Sequence, residues 1–568
     1  MRKTSLPECP KLPPMRNPAR AALIGGVVAA VVTLPGLGSG TLWDNSETAY
    51  GEVAREILLT RDWVVMHLNG LPWYVQPPLY FWIAALLAKA FGVGSLAFRL
   101  PSALATIAMG AMTGYAVTRQ AGMRAGLYAS VILSTCLMQA IVGRLAVMDA
   151  LLDLSVALAV FWWFRALQSG RGAYFVFGWI ALGFGFLAKG PVAPVAAALV
   201  IIPFALWNRR HAPTHLPGWR PWSAGFALFL AIIAPWFLAF IAQSGAHSAA
   251  ELIGHYTFGR YTQTIENQSG PIWYYLPVIV LGFFPWIAFL PSAIAFGVRR
   301  LRFSPDLQGD ERDAMLRLAF SWIVAPLLFF SLAKTKLPNY IALEFPALAL
   351  LVAMYFEDAV LRVRNRSREL LISALAVPVT IAMVAVAIVW FSRDNRLTGD
   401  LHGVALDLVF VGSAIFVGSL VTAALLRRPG SLASAPLVLG VAMAVAVLFL
   451  GVLALPSAEQ FKPVPALAAV VDAERKPGDV VAIQNVSGGN ALLFYTQPHI
   501  YVLARPDEKP GGDGVDPRNV ICGAKRAWVV APIVRPVYDP TYGRSRRTVA
   551  RAAKAQLFLY DGPPCSGS

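Results

Sequence analysis

Residues 39–79 read SGTLWDNSETAYGEVAREILLTRDWVVMHLNGLPWYVQPPL and directly follow the first long apolar stretch of the chain. Acidic, basic and histidine side chains cluster in this segment, although only 14% of all residues are charged. Ionisable groups are costly near a membrane interior and are retained there mostly where they serve a function. The segment is therefore the first candidate for a functional loop.

Polar and apolar residues recur at helical spacing within this loop. Glu47, Tyr50 and Val53 are three positions apart, which is typical of an amphipathic helix, and we predict one over 44–59. We expect it to lie on the membrane surface with an acidic face and a face in lipid. A solvated helix in which Arg55 forms ion pairs with nearby glutamates explains the same pattern.

The overall composition indicates a polytopic membrane protein. Of 568 residues, 57% are hydrophobic, and 16 are tryptophan and 32 phenylalanine. The apolar stretches are about 20 residues long without strict alternation, so the spans are helices rather than strands. The net charge of +17 comes from basic residues in short loops that set the orientation of the spans, and we predict no nucleic acid partner.

The apolar stretches number about fourteen. The second, over 79–93, is short and follows two prolines. We interpret it as an interfacial or re-entrant helix, because the basic loops then all lie on one side of the membrane. The sequence thus predicts about thirteen transmembrane helices, a cytoplasmic N-terminus and a C-terminus on the outer face. The predicted divisions are a cytoplasmic tail (1–19), a transmembrane domain (20–455) whose outer-face loop (38–98) contains interfacial helices, and a periplasmic domain (456–568).

The last hundred or so residues have the pattern of a small soluble α/β domain. A helix, a turn, a strand, a helix and a strand are predicted in order, followed by two strands in RAWVVAP and AQLFLYDG. The Gly488–Gly489 pair lacks the spacing of a nucleotide-binding loop. Cys522 and Cys565 are either a disulfide pair or two free thiols.

Isolated charged residues interrupt the membrane segments near the predicted outer face. They are Arg144, Asp149, Asp153, Lys189, Lys334, Lys336 and the polar residues of loop 244–273. Asp149 and Asp153 are one helical turn apart, so both can face one cavity. The alternatives are a carboxylate stabilised by a helix N-terminus for Asp149 and snorkelling lysines at helix ends for Lys189 and Lys336.

Carboxylates and cations in one outward-facing pocket are suited to glycosyl transfer. A carboxylate takes the proton of an attacking hydroxyl, while lysine and arginine stabilise the charge that grows on a phosphate leaving group. Nucleotide sugars are cytoplasmic, and the sequence has no nucleotide site. The simplest donor on the outer face is a lipid-linked sugar phosphate.

About the first 350 residues contain in order the motifs LWDNSETAYGEVAREI, DWVVMHLNG, QPPLYFWIAAL, FRLPSALA, GRLAVMDALL, LAKG, GPIWYYLPV and AKTKLPNYI. In these motifs the chain resembles the bacterial branch of the protein mannosyltransferase superfamily, which are GT-C glycosyltransferases, and most closely its aminoarabinose transferase-like members. The resemblance implies a bacterial inner membrane enzyme that transfers a sugar from a polyprenyl phosphate at the periplasmic face, usually with inversion. Its implied acceptor is lipid A, with another envelope glycan or a protein as alternatives.

The family's Asp-Glu pair falls on Ser46 and Glu47, so its first aspartate is missing, and we expect Asp44 to substitute for it. The family's second-loop aspartate falls on Asp149. The catalytic candidates are therefore Asp44, Glu47 and Asp149. A second departure is Val75-Gln76, where the family usually has an acidic residue and a lysine before proline.

The cations expected to bind the donor phosphate are Arg55, Lys189, Arg260, Lys334 and Lys336. The resemblance places the family lysines on Lys189, Lys334 and Lys336. No cofactor is assigned with certainty. Glu47 and His255 are the candidates for a divalent metal, although one histidine is few for such a site.

Two other classes of function fit a polytopic protein with buried charge. A transporter of lipid-linked sugars is expected to place its ionisable groups near the midplane in repeated halves, and no internal repeat is evident here. A non-catalytic binding protein fits the missing aspartate and lysine. Membrane lipids are partners under each interpretation.

Overall fold

A computed structural model gives the fold of the protein. The structure describes residues 17–43, 46–264, 268–303, 311–361, 367–392, 402–486, 489–496, 499–504, 515–533 and 546–562. Asp44 and Cys565 lie outside these residues, as does Gly488, so the predictions made for them concern a part of the chain that the structure does not describe.

The described part of the membrane domain is helical. Its α-helices are α1 (Pro18–Thr33), α2 (Ser46–Thr60), α3 (Leu79–Phe91), α4 (Ser95–Ala121), α5 (Met123–Thr135), α6 (Leu137–Val142), α7 (Asp149–Ser169), α8 (Gly172–Lys189), α9 (Val192–Asn208), α10 (Trp219–Ala250), α11 (Arg260–Thr262), α12 (Tyr275–Gly282), α13 (Leu290–Phe303), α14 (Glu311–Leu332), α15 (Phe345–Leu361), α16 (Ser367–Ser392), α17 (His402–Leu426), α18 (Ala435–Phe449) and α19 (Leu455–Ser457). A π-helix (Glu251–Gly259) precedes α11, and a 3-10 helix (Pro338–Glu344) leads into α15. A short hairpin, β1 (His67–Leu68) and β2 (Leu71–Pro72), lies between α2 and α3.

Nine helices among the described residues are long and apolar enough to cross a membrane, or ten if Tyr275–Gly282 and Trp286–Arg302, bent by 107°, form one span. This is fewer than the predicted number of about thirteen. Three shorter apolar helices, α1, α3 and α9, fall outside that count. The 13 residues of α3 rise only about 20 Å, less than the hydrocarbon thickness of about 30 Å, which agrees with its interpretation as an interfacial or re-entrant helix.

Small residues allow the first helices to pack closely. A Cβ atom on Gly114 of α4 would lie 2.6 Å from the carbonyl oxygen of Ala21 in α1, which is closer than two such atoms can approach. Close backbone approach of this kind is the usual basis of helix association in lipid, because the hydrophobic effect adds little there. Gly114 therefore permits the contact between α1 and α4.

The helix predicted over 44–59 is present as α2, but it does not lie with one face in lipid. Most of its residues are buried, among them Val53, Ala54 and Ile57. It packs against α3 and against the helix α21 (Gly489–Thr496) of the terminal domain. The expectation of a lipid-exposed face was wrong. The sequence pattern shows that one face of the helix avoids water, but it does not show whether that face contacts lipid or protein.

The α/β nature of the terminal domain is confirmed. Its helices are α20 (Pro463–Glu474), α21 and α22 (Pro517–Gly523), and its strands are β3 (Val480–Gln484), β4 (Ile500–Leu503), β5 (Ala527–Pro532), β6 (Arg546–Ala552) and β7 (Ala555–Tyr560). The sheet order is β4-β3-β5-β7-β6, with β3 parallel to β4 and β5, and β7 antiparallel to β5 and β6. Strand β6 was not predicted, because its sequence RRTVARA carries three arginines and most of it is only partly buried or exposed.

The terminal domain is hydrogen-bonded to the first polar loop. The hydroxyl of Tyr495 accepts from the backbone N–H of Leu42 at 2.8 Å, and the side chain of Asn69 bonds both backbone groups of Ile500. Lys462 donates to the carbonyl oxygen of Thr41 at 3.0 Å. The domain therefore contacts both the beginning of the loop that the sequence identified as functional and the turn between β1 and β2 within it.

We expect Tyr495→Phe to weaken this attachment. The N–H of Leu42 is buried, and losing its acceptor costs about 1–3 kcal/mol. Thermal unfolding and limited proteolysis in detergent measure the effect, and cleavage within the loop should become faster. Tyr501→Phe, in the same domain, is the matched control and should behave like the wild type. Equal behaviour of the two variants would contradict the prediction.

Candidate active site

An ion pair joins the ends of two membrane helices. Asp149 is the first residue of α7, and Lys189 is the last residue of α8. The Lys189 ammonium lies 2.5 Å from Asp149 Oδ1, and the two side chains are only 12% and 4% exposed. A carboxylate in a first turn and a cation in a last turn are both favoured by the helix dipoles, so the antiparallel helices bring together groups that each end stabilises.

Two further side chains extend this ion pair. The Lys189 ammonium lies 5.0 Å from the ring centroid of Tyr340, which is within cation–π range. Arg260 Nη1 donates to the Tyr340 hydroxyl at 2.9 Å. Asp149, Lys189, Tyr340 and Arg260 thus form one continuous group, hereafter the polar cluster. It contains two cations and one carboxylate, so its electrostatics favour an anion.

Two more lysines are attached beside the polar cluster by backbone hydrogen bonds. Thr335 N–H donates to the Arg260 carbonyl at 3.0 Å, and Lys334 N–H donates to the Tyr261 carbonyl at 3.0 Å. Lys334 is exposed and Lys336 is buried. Burial, and secondarily the charge of Lys334, lower the pKa of Lys336 below its ordinary value. An anion bound beside Lys336 would stabilise its charged form and so offset both effects.

Asp153 lies one turn after Asp149 and is almost fully buried. Its Oδ2 accepts no hydrogen bond from the residues that the structure describes. Both aspartates are buried, and Asp149 has a cationic partner in Lys189. That the two aspartates face one cavity stays a prediction.

Glu47 is surrounded by hydrogen-bond donors. Arg99 Nε donates to its Oε1 at 3.0 Å, and Arg99 Nη2 donates to its Oε2 at 2.9 Å. The backbone N–H groups of Ala146 and Trp43 donate to the same carboxylate at 2.6 and 2.7 Å. With 2% of its surface exposed, Glu47 connects the first loop to the segment before α7. This geometry favours a positioning role over acid or base chemistry.

Arg55 has an intrahelical partner in this structure. Its guanidinium forms two hydrogen bonds with Glu52, one of them at 2.8 Å from Nε to Oε2. The ion-pair interpretation that the sequence left open for Arg55 thus describes its contacts, and both side chains are buried. A phosphate contact by Arg55 would require this pair to open.

The described residues do not offer a metal site. Among them, no group of three or more histidine, cysteine, aspartate or glutamate side chains is placed to hold a metal ion. The oxygens of Glu47 already accept from four donors, as described above. His255 lies in the π-helix, with its ring centroid 4.9 Å from that of Tyr256. The two candidate ligands therefore do not fit a divalent cation in this arrangement.

The two departures from the family motifs have clear positions. Ser46 is the first residue of α2, next to the two positions that the structure does not describe. Val75 and Gln76 are partly buried in the loop that leads into α3. Neither departure belongs to the polar cluster, whose members lie on other segments.

Sequence reasoning missed Tyr340, Arg99 and the role of Arg144. Tyr340 and Arg99 lie within the motifs AKTKLPNYI and FRLPSALA, so the sequence marked both residues but did not indicate their partners. Arg144 donates to the carbonyl oxygens of Val32, Thr33 and Pro35, which fixes the end of α1. These partners are more than 50 residues away along the chain, and local patterns do not reveal such contacts.

Glu56 gives a pH-dependent prediction. Burial, and secondarily the neighbouring Glu52, raise the pKa of Glu56, while hydrogen bonds from the Gly70 N–H lower it in part. A carboxyl whose pKa is higher in the folded protein binds its proton more tightly there, so stability is lost as pH rises through that pKa. We expect Glu56→Gln to raise the unfolding temperature, and the gain to be larger at about pH 8 than at about pH 4. The exposed Glu474→Gln is the control, and a gain that is independent of pH would contradict the prediction.

The fold has a close relative among solved structures. The chain superposes on ArnT from Cupriavidus metallidurans bound to undecaprenyl phosphate with a TM-score of 0.75 and 22% identity, over 97% of this chain and 99% of that one. Residues 75–238 match the family described as dolichyl-phosphate-mannose-protein mannosyltransferase. The superposition shows that this is a membrane protein of the GT-C fold.

Curated relatives specify the family. The chain is 31% identical over 388 residues to the undecaprenyl phosphate-alpha-4-amino-4-deoxy-L-arabinose arabinosyl transferase of Aeromonas hydrophila, covering 66% of this chain and 67% of that protein. It is 32% identical over 353 residues to the enzyme of the same name from Serratia proteamaculans, of which it covers 60%, less than two thirds. The chain belongs to the family of undecaprenyl phosphate-aminoarabinose arabinosyl transferases.

Proposed function

We propose that this protein transfers 4-amino-4-deoxy-L-arabinose from undecaprenyl phosphate to lipid A. The observation that carries the proposal is the polar cluster, in which one carboxylate and two cations meet at the ends of separate helices. The donor is proposed from the names of the family members and from the lipid phosphate bound to ArnT of Cupriavidus metallidurans. Lipid A as acceptor is supported by the resemblance of the sequence motifs.

The polar cluster supplies the parts of a displacement reaction. The bond between the sugar anomeric carbon and the phosphate oxygen breaks, and a bond from that carbon to an acceptor oxygen forms. Undecaprenyl phosphate leaves with the bonding electron pair, and the acceptor proton passes to a carboxylate. We assign that carboxylate to Asp149, because Glu47 is occupied by four donors and Asp149 is in direct contact with a cation facing the same site.

The cations of the site are of two kinds: an arginine that is always charged and lysines that can lose a proton. The guanidinium of Arg260 remains charged at any working pH. Its Nη1 lies 2.9 Å from the hydroxyl of Tyr340, whose ring also contacts Lys189. Lys334 and Lys336 lie on the loop bonded to Arg260. We propose that Arg260, Lys189 and these two lysines hold the donor phosphate, where preorganised cations stabilise the charge that develops as it leaves.

The orientation in the membrane follows from the basic loops. We propose that the protein lies in a bacterial inner membrane with the N-terminus in the cytoplasm, because the arginine-rich connections then share the cytoplasmic side. The polar cluster and the terminal domain would then face the periplasm. Accessibility of single cysteines introduced in the terminal domain to an impermeant thiol reagent tests this orientation, with a cysteine in loop 427–428 as the protected control.

Reconstituted protein tests the activity directly. Proteoliposomes that contain undecaprenyl phosphate-aminoarabinose and lipid A should yield lipid A increased by one aminoarabinose, together with free undecaprenyl phosphate, as measured by mass spectrometry. Donor consumption without modified lipid A would move the acceptor to another envelope molecule or a protein. Movement of intact donor across the bilayer would identify a transporter, and an unchanged donor would identify a binding protein.

The lowered pKa of Lys336 predicts the alkaline limit of donor binding. A lysine with a lowered pKa loses its proton at a lower pH than usual, so donor binding should weaken as pH rises through that pKa. Lys334→Gln removes the nearby positive charge and should raise the pKa of Lys336, which moves the alkaline limb of the donor KM profile to higher pH. The exposed Lys476→Gln in the terminal domain should leave the profile in place. A limb that moves to lower pH in Lys334→Gln would refute the assignment.

A further inference from the structure

A second polar feature lies at the opposite end of the same helices. Asp149 begins α7, and Arg165 follows 16 residues later, about 24 Å away along the helix axis. Near Arg165 a shallow crevice lies among α4, α7 and α8. The residues that line it come from the last turns of α4 and α7 and the first turn of α8. The crevice is therefore separate from the polar cluster.

Cationic side chains form one wall of the crevice. Arg119 and Arg165 both line it and are partly buried. Arg119 Nη1 donates to the Tyr115 hydroxyl at 3.1 Å, and the Arg165 guanidinium lies 6.0 Å from the ring centroid of Tyr174. Among the described residues that line the crevice there is no carboxylate. One carboxylate lies close by, since Glu311 Oε2 is 3.3 Å from the side-chain amide of Gln120, which lines the crevice. Two guanidinium groups and one neighbouring carboxylate leave this wall net positive, which favours an anion.

Apolar side chains form the deeper walls. Met112, Leu158 and Phe161 line the crevice one to two turns before the arginines on α4 and α7, which places them toward the hydrocarbon region. Trp162 stacks on Tyr174 with ring centroids 5.3 Å apart. Aromatic rings in this position are typical of the membrane interface. The crevice thus has a cationic rim at headgroup level and an apolar interior at acyl-chain level.

We propose that this crevice binds one anionic phospholipid, with its phosphate at Arg119 and Arg165 and the start of one acyl chain against Leu158 and Phe161. The occupant is a lipid rather than free phosphate, because the apolar walls would remain uncovered by a small ion. The site is separate from the proposed donor phosphate site, and the proposal does not depend on the transfer reaction.

Binding of phosphatidylglycerol to the purified full-length protein in detergent tests the proposal by native mass spectrometry. We expect Arg119→Ala combined with Arg165→Ala to weaken binding by at least about tenfold, since both cationic contacts to the lipid phosphate are lost. Leu158→Trp, which fills the crevice and keeps both charges, should weaken it to a similar extent. Ala116→Trp, on the facing helix, is a second filling variant in case Leu158→Trp does not fold.

Arg209→Ala combined with Arg210→Ala is the matched control, because both residues are exposed and basic and follow α9 on the same predicted side. It should leave phosphatidylglycerol binding within about twofold of the wild type. Equal weakening in this control, or no effect of either filling variant, would overturn the proposal in favour of diffuse surface attraction. Equal binding of phosphatidylcholine would overturn it in favour of binding that does not depend on headgroup charge. Displacement by millimolar inorganic phosphate would indicate a free phosphate site, and preferential binding of undecaprenyl phosphate would reassign the lipid. Both of these outcomes also overturn it.

Discussion

Asp149→Asn should reduce aminoarabinose transfer by a factor of about 10² to 10⁴, the range that a positioned acid or base contributes. The asparagine keeps the size of the side chain but neither accepts the acceptor proton nor pairs with the Lys189 ammonium 2.5 Å away. Transfer rates measured under saturating donor and acceptor, with undecaprenyl phosphate release as the readout, give the change in kcat.

The control for this variant separates chemistry from folding. Asp472→Asn changes an exposed carboxylate of the terminal domain and should transfer at the wild-type rate. Donor binding is measured separately, because Lys189 remains in Asp149→Asn and the cations of the polar cluster persist. A well-folded Asp149→Asn protein with undiminished transfer would remove Asp149 from the chemistry and leave Asp44 as the remaining carboxylate candidate.

Arg99→Met should destabilise the protein by about 3–5 kcal/mol, the cost of removing one partner from a buried ion pair. Arg99 donates to Glu47 and also to the carbonyl oxygens of Leu37, Ser39 and Thr41, at distances of 2.9 to 3.2 Å. Methionine fills part of the volume but leaves the Glu47 carboxylate buried without its cation. Chemical denaturation in detergent micelles measures the loss.

A double variant shows whether the uncompensated charge causes that loss. Glu47→Gln combined with Arg99→Met carries no buried charge at this position and should be more stable than Arg99→Met alone. Arg428→Met, at an exposed arginine after α17, should have the stability of the wild type. If the double variant is less stable than Arg99→Met, the hydrogen bonds from Ala146 and Trp43 to Glu47 matter more than the charge.

The polar cluster and the Glu47–Arg99 pair have different tasks in the proposed enzyme. The first brings carboxylate and cations together at the ends of α7 and α8, where we propose that the donor phosphate binds. The second lies among the first loop, α4 and the segment before α7, and its groups are saturated with hydrogen bonds. Loss of transfer in a folded protein is therefore the main effect expected at Asp149, and loss of stability is the main effect expected at Arg99.

Sequence alone determined the class of the protein and several members of the site. The composition required a helical membrane protein, because apolar stretches of that length have no other stable arrangement. Charge is so rare in these stretches that Asp149 and Lys189 were visible as candidates without knowledge of their contact. The α/β pattern of the terminal domain followed from strand and helix periodicity, except at β6, whose arginines obscure it.

Only the tertiary structure decided which of these groups meet. It paired Asp149 with Lys189, added Tyr340, enclosed Glu47 and placed α2 beneath the terminal domain. These contacts join segments that are distant along the chain, and a hydrophobic pattern reports only that a face avoids water. Which segments pack against a helix decides whether its apolar face contacts lipid or another helix. The same packing decides whether a charged side chain has an ion-pair partner.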